Sequence, residues 1–390
     1  MSVARVGVAG AGTMGAGIAQ LGCLGGYETV LFDPDGEALE RGAERLRANL
    51  SRGAERGRWS EEEARAAAGR LELVGELGGL GECGLVIEAA PERLEVKHDL
   101  FDRLERVCAA GAVLATNTSS LRVGAIAERS QRRERICGMH FFNPPPLMKL
   151  VEIVATQESG DDALRSADEV AERMGRTPIR CSDSPGFIVN RCNRPYALEA
   201  LRILAEGIAT HAQIDLVMRE DGGYRMGPFE LMDLIGIDVN LAVARSFYEQ
   251  RPEPRWEPSP ISERMVAEGR LGRKSGRGFY AYGDDEPEAP VEAPGAELRS
   301  RILERILCQL VNEACYALEE GVAESADDID TAMRLGLNHP RGPFEWAREL
   351  GPDRVLATLD SLRADLGDDR YAASPLIRRW ADDGAGAPPG

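Results

Sequence analysis

Arg5-Val6-Gly7-Val8-Ala9-Gly10-Ala11-Gly12-Thr13-Met14-Gly15 decides the fold: an apolar strand runs into a G-x-G-x-x-G turn and on into a helical run from Ala16 to Leu24. Gly10 permits the tight turn, Gly12 lets backbone approach a pyrophosphate, and Gly15 lets helix and strand pack closely. Thr13 and Met14 stand where the helix begins, and its free N–H groups and dipole favour negative charge there. The next strand-like run, Glu28 to Phe32, ends in Asp33. That is about 20 residues past the glycines, where a carboxylate accepts hydrogen bonds from the adenosine ribose and repels a 2′-phosphate. This order of strand, glycines, helix, strand and acid predicts an α/β Rossmann domain that binds NAD in preference to NADP.

Beyond Asp33, residues Pro34 to Gly69 read as a charged helical-hairpin insertion. From Glu37 to Arg58 it carries six arginines against four glutamates, a basic island on a chain of net charge −18. Its arginines either serve as a solvated face laced with i, i+4 pairs or contact an anion. Strands resume at Leu71 to Val74 and Leu85 to Ala90. A helix then follows with Val96, Leu100, Leu104 and Val107 on one face. A short strand from Ala112 to Ala115 leads into Thr116-Asn117-Thr118-Ser119-Ser120, hydroxyl-rich at a strand-to-helix junction. One hydroxyl there can cap the next helix, and the others can line a ligand crevice.

Of the four histidines, only His140 lies in an apolar run that stops at Asn-Pro, Gly138-Met139-His140-Phe141-Phe142-Asn143-Pro144. Twelve residues on, Glu152 stands in a second strand-like run, Leu150 to Ala155. If the two runs pair, imidazole and carboxylate meet as a base and the group that orients it. A satisfied core histidine near a surface glutamate is the alternative.

A Rossmann domain over 1–183 is followed by helices. Two stretches of these resemble each other at an offset of about 115 residues. Glu206-Gly207-Ile208-Ala209 recurs as Glu320-Gly321-Val322-Ala323, and Gly227-Pro228-Phe229-Glu230 as Gly342-Pro343-Phe344-Glu345. The expected organisation is a first helical domain over 184–283, a linker over 284–296 rich in Pro, Glu and Ala, and a duplicated helical domain over 297–383. The tail after Trp380 is Gly/Ala/Pro-rich and is expected to fray.

The acidic balance argues against nucleic acid and against an anionic membrane surface, and no apolar run approaches membrane-spanning length. The eight cysteines show no CxxC pair and no histidines at metal-ligand spacing, so reduced thiols, a cytoplasmic location and no metal are expected.

These motifs together resemble the L-3-hydroxyacyl-CoA dehydrogenases. The resemblance is carried by the G-A-G-T-M-G-A-G-I-A opening, Glu88-Ala89 with Glu92 and Lys97, and Asn117-Thr118-Ser119-Ser120-Leu121. It extends through His140 to Pro144, Lys149 to Glu152, Pro185 to Arg191, and the Gly272 to Tyr280 loop. It covers nearly the whole chain and implies reversible NAD-linked oxidation of a 3-hydroxyacyl-CoA to the 3-oxoacyl-CoA. His140 would take the proton of the 3-hydroxyl, and Glu152 would hold its ring and stabilise the imidazolium. Ser119 and Asn190 would bond the substrate oxygen, and Asn143 would position the thioester region or cofactor. Gly10, Gly12, Thr13, Met14, Gly15, Asp33, Glu92, Lys97, Asn117, Ser119 and Asn143 would contact NAD. Asn49 and Arg56 fall at CoA-contacting positions of the family but differ in residue type; Arg56 keeps the charge. The family's subunits pair through their helical domains, so this chain is expected as a homodimer or as a monomer with an internal pseudo-dimer. A dehydrogenase of free sugar acids, as in gulonate-type relatives, and a non-catalytic NAD-binding protein are the competing readings.

Overall fold

Strand β1 (Arg5–Ala9) is apolar from Val6 onward because neighbours cover both of its faces, and Val6, Val8 and Ala9 are wholly buried. It hands over to α1 (Thr13–Leu24) and β2 (Glu28–Phe32), followed by the hairpin α2 (Gly36–Glu55) and α3 (Glu61–Gly69). The sheet continues through β3 (Leu71–Val74), β4 (Leu85–Glu88), α4 (Leu94–Val107), β5 (Val113–Thr116) and α5 (Val123–Ala127). It ends with β6 (Ile136–Phe141), β7 (Leu150–Ala155), α6 (Asp161–Arg173) and β8 (Thr177–Ser182). The computed structural model describes residues 3–283 and 292–384.

The eight strands lie in the order β3-β2-β1-β4-β5-β6-β7-β8. All adjacent pairs are parallel except β6 and β7, which run antiparallel with His140 opposite Glu152. The sequence places α2 where it is by two devices. Asp35 caps its N-terminus by accepting from Glu37 and Ala38, and Leu39, Leu46 and Leu50 bury one face. Each such leucine contributes about 1.5–3 kcal/mol by leaving water. Trp59 closes the hairpin: its indole N–H donates to the Leu50 carbonyl at 2.7 Å, and its ring fills the space a side chain at Gly53 would need.

The face of α4 differs from the expected one. Leu100 and Leu104 are buried, but Val107 is 36% exposed, while Lys97, His98 and Phe101 turn inward. The helix rotates toward a cation because a buried carboxylate, Glu88, waits for it.

The chain divides into two units at Phe187 and Ile188 rather than at Asp183. Residues up to Phe187 stay with the sheet because the Asp183 carboxylate accepts from the Val123 and Gly124 N–H groups at 2.8 Å each, and Phe187 is buried near His140. The expected linker over 284–296 lies outside the described residues from 284 to 291, and a helix begins at Ala296. The expected frayed tail is helical to Asp383, and residues 385–390 lie outside the described residues.

Among the described residues the second unit is built chiefly of helices: α7 (Val189–Cys192), α8 (Arg194–Ala205), α9 (His211–Glu220), α10 (Pro228–Ile235), α11 (Ile237–Gln250) and α12 (Pro260–Ala267). The repeat then supplies α13 (Ala296–Glu319), α14 (Ala326–Leu337), α15 (Pro343–Leu350), α16 (Pro352–Leu366) and α17 (Pro375–Asp383). Each copy builds the same local device. Asp215 accepts from the Phe229 N–H at 2.9 Å, and Asp330 accepts from the Phe344 N–H at 2.8 Å, at the start of the Gly-Pro-Phe-Glu helix.

Both copies lie in this one unit, and α13 packs along α8. Their contact is reciprocal. Arg191 of the first copy donates to Glu313 at 2.8 Å and Glu320 at 3.0 Å of the second. Arg305, its counterpart, donates to Glu199 and to Glu206, the counterparts of Glu313 and Glu320. Trp256 bonds Glu313 at 3.1 Å while Tyr371, at the matching position, bonds Glu199 at 2.8 Å. Residue i meets j while the copy of j meets the copy of i, which is the signature of a two-fold interface.

Candidate active site

Gly10 holds φ at +115°, and a side chain there would lie 2.6 Å from the Ala89 carbonyl oxygen. A Cβ at Gly15 would lie 1.8 Å from the Gly10 oxygen, whereas one at Gly12 would meet nothing within 4 Å. Gly10 and Gly15 are therefore demanded by packing, and Gly12 leaves an open cradle over the start of α1. No side chain caps that helix and no acid stands in its first turn, so Thr13, Met14 and their neighbours offer unopposed N–H groups to an anion. Asp33 is anchored at the end of β2 by accepting from Ala11 N–H at 2.8 Å and Asp35 N–H at 3.0 Å. Each of its oxygens keeps a further lone pair for a ribose diol. The residues present fit a dinucleotide.

Lys97 is 1% exposed and lies 2.7 Å and 2.9 Å from the two oxygens of Glu88, itself wholly buried. Its third neighbour is Glu92, at 3.2 Å. Glu88 also accepts from the Thr116 hydroxyl at 2.6 Å and the Ala90 N–H at 2.7 Å. Glu92 shapes the next loop, accepting from the Thr118 hydroxyl at 2.6 Å and from the Ser119 and Ser120 N–H groups at 3.0 and 3.1 Å. Burial raises the Glu92 carboxyl, but Lys97 and these hydrogen bonds outweigh it and hold it below the usual range. Glu92 and Lys97 thus belong to a buried network whose key member, Glu88, the sequence reading did not single out as a site residue. An acid closing the apolar run Leu85-Val86-Ile87 was the available signal.

His140 and Glu152 come together through strand register: Nδ1 lies 2.6 Å from Glu152 Oε2. The histidine is 5% exposed and the glutamate wholly buried. A carboxylate accepts only, so Nδ1 carries the proton and Nε2 keeps a lone pair. Phe142 and Phe187 flank the ring at centroid distances of 4.4 and 5.6 Å. Asn117 ties the hydroxyl-rich loop to the same strand, its Oδ1 accepting from the Phe141 N–H at 2.8 Å. Ser119 is exposed at the tip of that loop, and Asn143 is exposed where β6 gives way to the proline turn. Pro145 in this turn packs on Gly17 of α1, where any side chain would approach its ring to 3.0 Å, so a small residue draws the turn onto the dinucleotide helix.

Asn190 lies on α7, in the second unit. Asn49 and Arg56 lie on and just after α2, and Asn49 accepts from Arg52 at 2.6 Å. Of the six arginines, Arg41 pairs with Glu37 and Arg45 reaches the Thr13 hydroxyl at 3.3 Å. Arg47, Arg56 and Arg58 are exposed and have no ion-pair partner among the described residues. The helix face is therefore only partly neutralised by its own glutamates and keeps cations for an anionic ligand.

Residues 5–184 match the family described as "3-hydroxyacyl-CoA dehydrogenase, NAD binding domain". Residues 186–282 and again 302–387 match "3-hydroxyacyl-CoA dehydrogenase, C-terminal domain". A relative from Escherichia coli K12, named 3-hydroxyadipyl-CoA dehydrogenase, is 35% identical, with 98% of each chain covered. The 3-hydroxybutyryl-CoA dehydrogenase of Mycobacterium tuberculosis is 39% identical over 72% of this chain and 99% of its own. The crystal structure of a 3-hydroxybutyryl-CoA dehydrogenase from Escherichia coli K12 superposes with a TM-score of 0.92 at 35% identity, covering 99% of this chain and 100% of that one. No helix among the described residues is long and apolar enough to cross a membrane.

Proposed function

The chain belongs to the 3-hydroxyacyl-CoA dehydrogenase family, an NAD-dependent oxidoreductase acting on CH–OH, and from that premise we propose how its residues divide the work. When bound, NAD⁺ supplies the acceptor for the hydrogen and electron pair that leave C3 of the substrate. His140 Nε2 takes the proton of the 3-hydroxyl as the carbonyl forms. Nδ1–H stays on Glu152, whose charge stabilises the imidazolium and keeps the ring turned. Reduction runs the same proton back. Ser119 and Asn190 hydrogen-bond the 3-oxygen where charge changes, and Asn143 steadies the thioester end. Asp33 takes the adenosine ribose, and Arg47, Arg56 and Arg58 receive the CoA phosphates on an otherwise acidic molecule.

The observation that carries this reading is the buried 2.6 Å contact between His140 and Glu152, made by direct cross-strand register. The test is NADH oxidation with acetoacetyl-CoA and with free acetoacetate, beside NAD⁺ reduction with free hydroxy acids, sugar acids included. Turnover of the thioester alone is expected. Turnover of the free acids alone would support the sugar-acid reading, and no turnover the non-catalytic one.

For assembly, the proposal is a monomer whose second helical copy stands in for a partner subunit. Its support is the exchange of Arg191 and Arg305 between the two copies' glutamates. Light scattering should return one chain mass, 42.3 kDa, and a two-chain mass would contradict it.

A further inference from the structure

Among the described residues, Arg45 is the one arginine of the stretch from Glu37 to Arg58 whose side chain bonds outside the hairpin. Its Nη1 donates to the hydroxyl of Thr13, the first residue of α1, at 3.3 Å. Arg45 is exposed and forms no ion pair among the described residues. The sequence explains why. The positions three and four residues to either side, where a helical partner would stand, are Arg41, Gly42, Ala48 and Asn49, none of them acidic. Arg41, by contrast, has Glu37 four residues back and pairs with it. A guanidinium is a planar fork of several N–H donors, so a single long bond to a hydroxyl leaves most of them unused.

A glycine brings this cation to α1. A Cβ on Gly42 would lie 2.6 Å from the Ala11 carbonyl oxygen, so α2 can lie this close to the glycine turn only without a side chain there. Arg45 stands three residues further along the same face. The contacts along the turn then follow in order. Asp33 accepts from the Ala11 N–H at 2.8 Å, the Ala11 carbonyl meets Gly42, and Thr13 meets Arg45. A carboxylate for the ribose thus stands at one end and a cation at the other. Between them is a helix start with no acid in its first turn and no side-chain cap. A Cβ at Gly12 would meet nothing within 4 Å, so this place is open to a ligand.

We propose that Arg45 binds the pyrophosphate of the dinucleotide, adding a full charge on a long side chain to the fixed partial charge of the α1 N-terminus. This rests on the reading of the glycine turn as the NAD site. The need for it is electrostatic. The chain carries a net charge of −18. A helix start supplies only about half an elementary charge to hold a doubly charged pyrophosphate. A CoA phosphate is a poorer candidate for this cation. Arg47, Arg56 and Arg58 are exposed on the same hairpin with no bond to α1 among the described residues, and they suit CoA without competing for the turn.

The experiment titrates NADH, ADP-ribose and adenosine into the parent protein, Arg45→Met and Arg45→Lys. Nicotinamide fluorescence reads the first ligand and its displacement reads the other two, at about 0.01 M and about 1 M salt. CoA is titrated alongside by calorimetry. Arg45→Met should weaken NADH and ADP-ribose by roughly 3- to 20-fold at low salt, the worth of a charge-assisted hydrogen bond at an exposed site, and by less at high salt. Adenosine has no phosphate and should bind all three proteins alike, and Arg45→Lys should recover most of the loss. NADH affinity unchanged in Arg45→Met overturns the inference. An equal loss for adenosine also overturns it, since Arg45 would then be a structural tie between α1 and α2. A loss of CoA affinity with NADH affinity held gives the cation to the other ligand and overturns it as well. Failure of the parent itself to bind NADH would sink the dinucleotide reading along with this step.

Discussion

Replacing Arg305 with methionine tests whether the two helical copies are held by reciprocal charge. The substitution removes a 2.6 Å and a 2.7 Å bond to Glu206, the bond to Glu199, and a 2.7 Å bond to the Tyr371 hydroxyl. Glu199 is wholly buried and keeps Arg202 at 3.1 Å and Tyr371 at 2.8 Å, so it is not stranded. Removing one partner of a buried ion pair costs about 3–5 kcal/mol, and these surviving partners put the expected loss at the lower end, about 3 kcal/mol. For a unit spanning Ile188–Gly390 that corresponds to a fall in Tm of about 6–12 °C. Calorimetry would read it directly, and urea unfolding would give the same free energy from its midpoint at constant slope. Arg191→Met should cost a similar amount, since Glu313 keeps Trp256 and Glu320 keeps Arg251. A fall below about 2 °C in both variants would refute the claim that this exchange joins the copies.

Glu152→Gln should keep NADH affinity while lowering kcat, because the ring loses the charge that stabilises the imidazolium; equal losses in both would make Glu152 merely structural. Burial pushes the Asp215 carboxyl up to about 7 and that of Asp330 to about 6, against the hydrogen bonds from the Phe229 and Phe344 N–H groups. A carboxyl raised by folding contributes stability that is present below its unfolded value near 4 and lost as pH rises through the folded one. Asp215→Asn should therefore flatten that unit's unfolding free energy between about pH 4 and 7; a constant offset from the parent across urea melts in that range would contradict it. Arg56→Ala combined with Arg58→Ala should raise KM for acetoacetyl-CoA several-fold, more at low salt than at high, as for exposed cations meeting phosphate. A KM insensitive to both would remove this face from CoA binding.

Much of this molecule can be read in the chain because its signals are local. The glycine turn and Asp33 are fixed by steric demands within one βαβ unit, and the repeat of Gly-Pro-Phe-Glu marks a cap that each copy builds for itself. The meeting of His140 with Glu152 needed only that two neighbouring strands pair in one register. Longer-range chemistry was hidden. Periodicity put Val107 on the inner face of α4 because pattern alone cannot show that Glu88, on a different strand, draws Lys97 inward. The crossed pairs of Arg191 and Arg305 join residues 99 to 129 positions apart, although superposing the repeat on itself would have aligned each arginine with the other. Arg194 reads as an ordinary helix-start cation, yet its Nη1 is buried with no hydrogen-bond partner among the described residues.

The most direct test of the proposed chemistry is the single-turnover rate of NADH oxidation by acetoacetyl-CoA in His140→Ala, measured together with NADH affinity by fluorescence. A fall of about 10²- to 10⁴-fold in rate with affinity held is the expected result, the loss typical of a missing general acid–base. A rate within a few-fold of the parent would show that the proton moves by another route and that the His140–Glu152 pair is not the centre of this site.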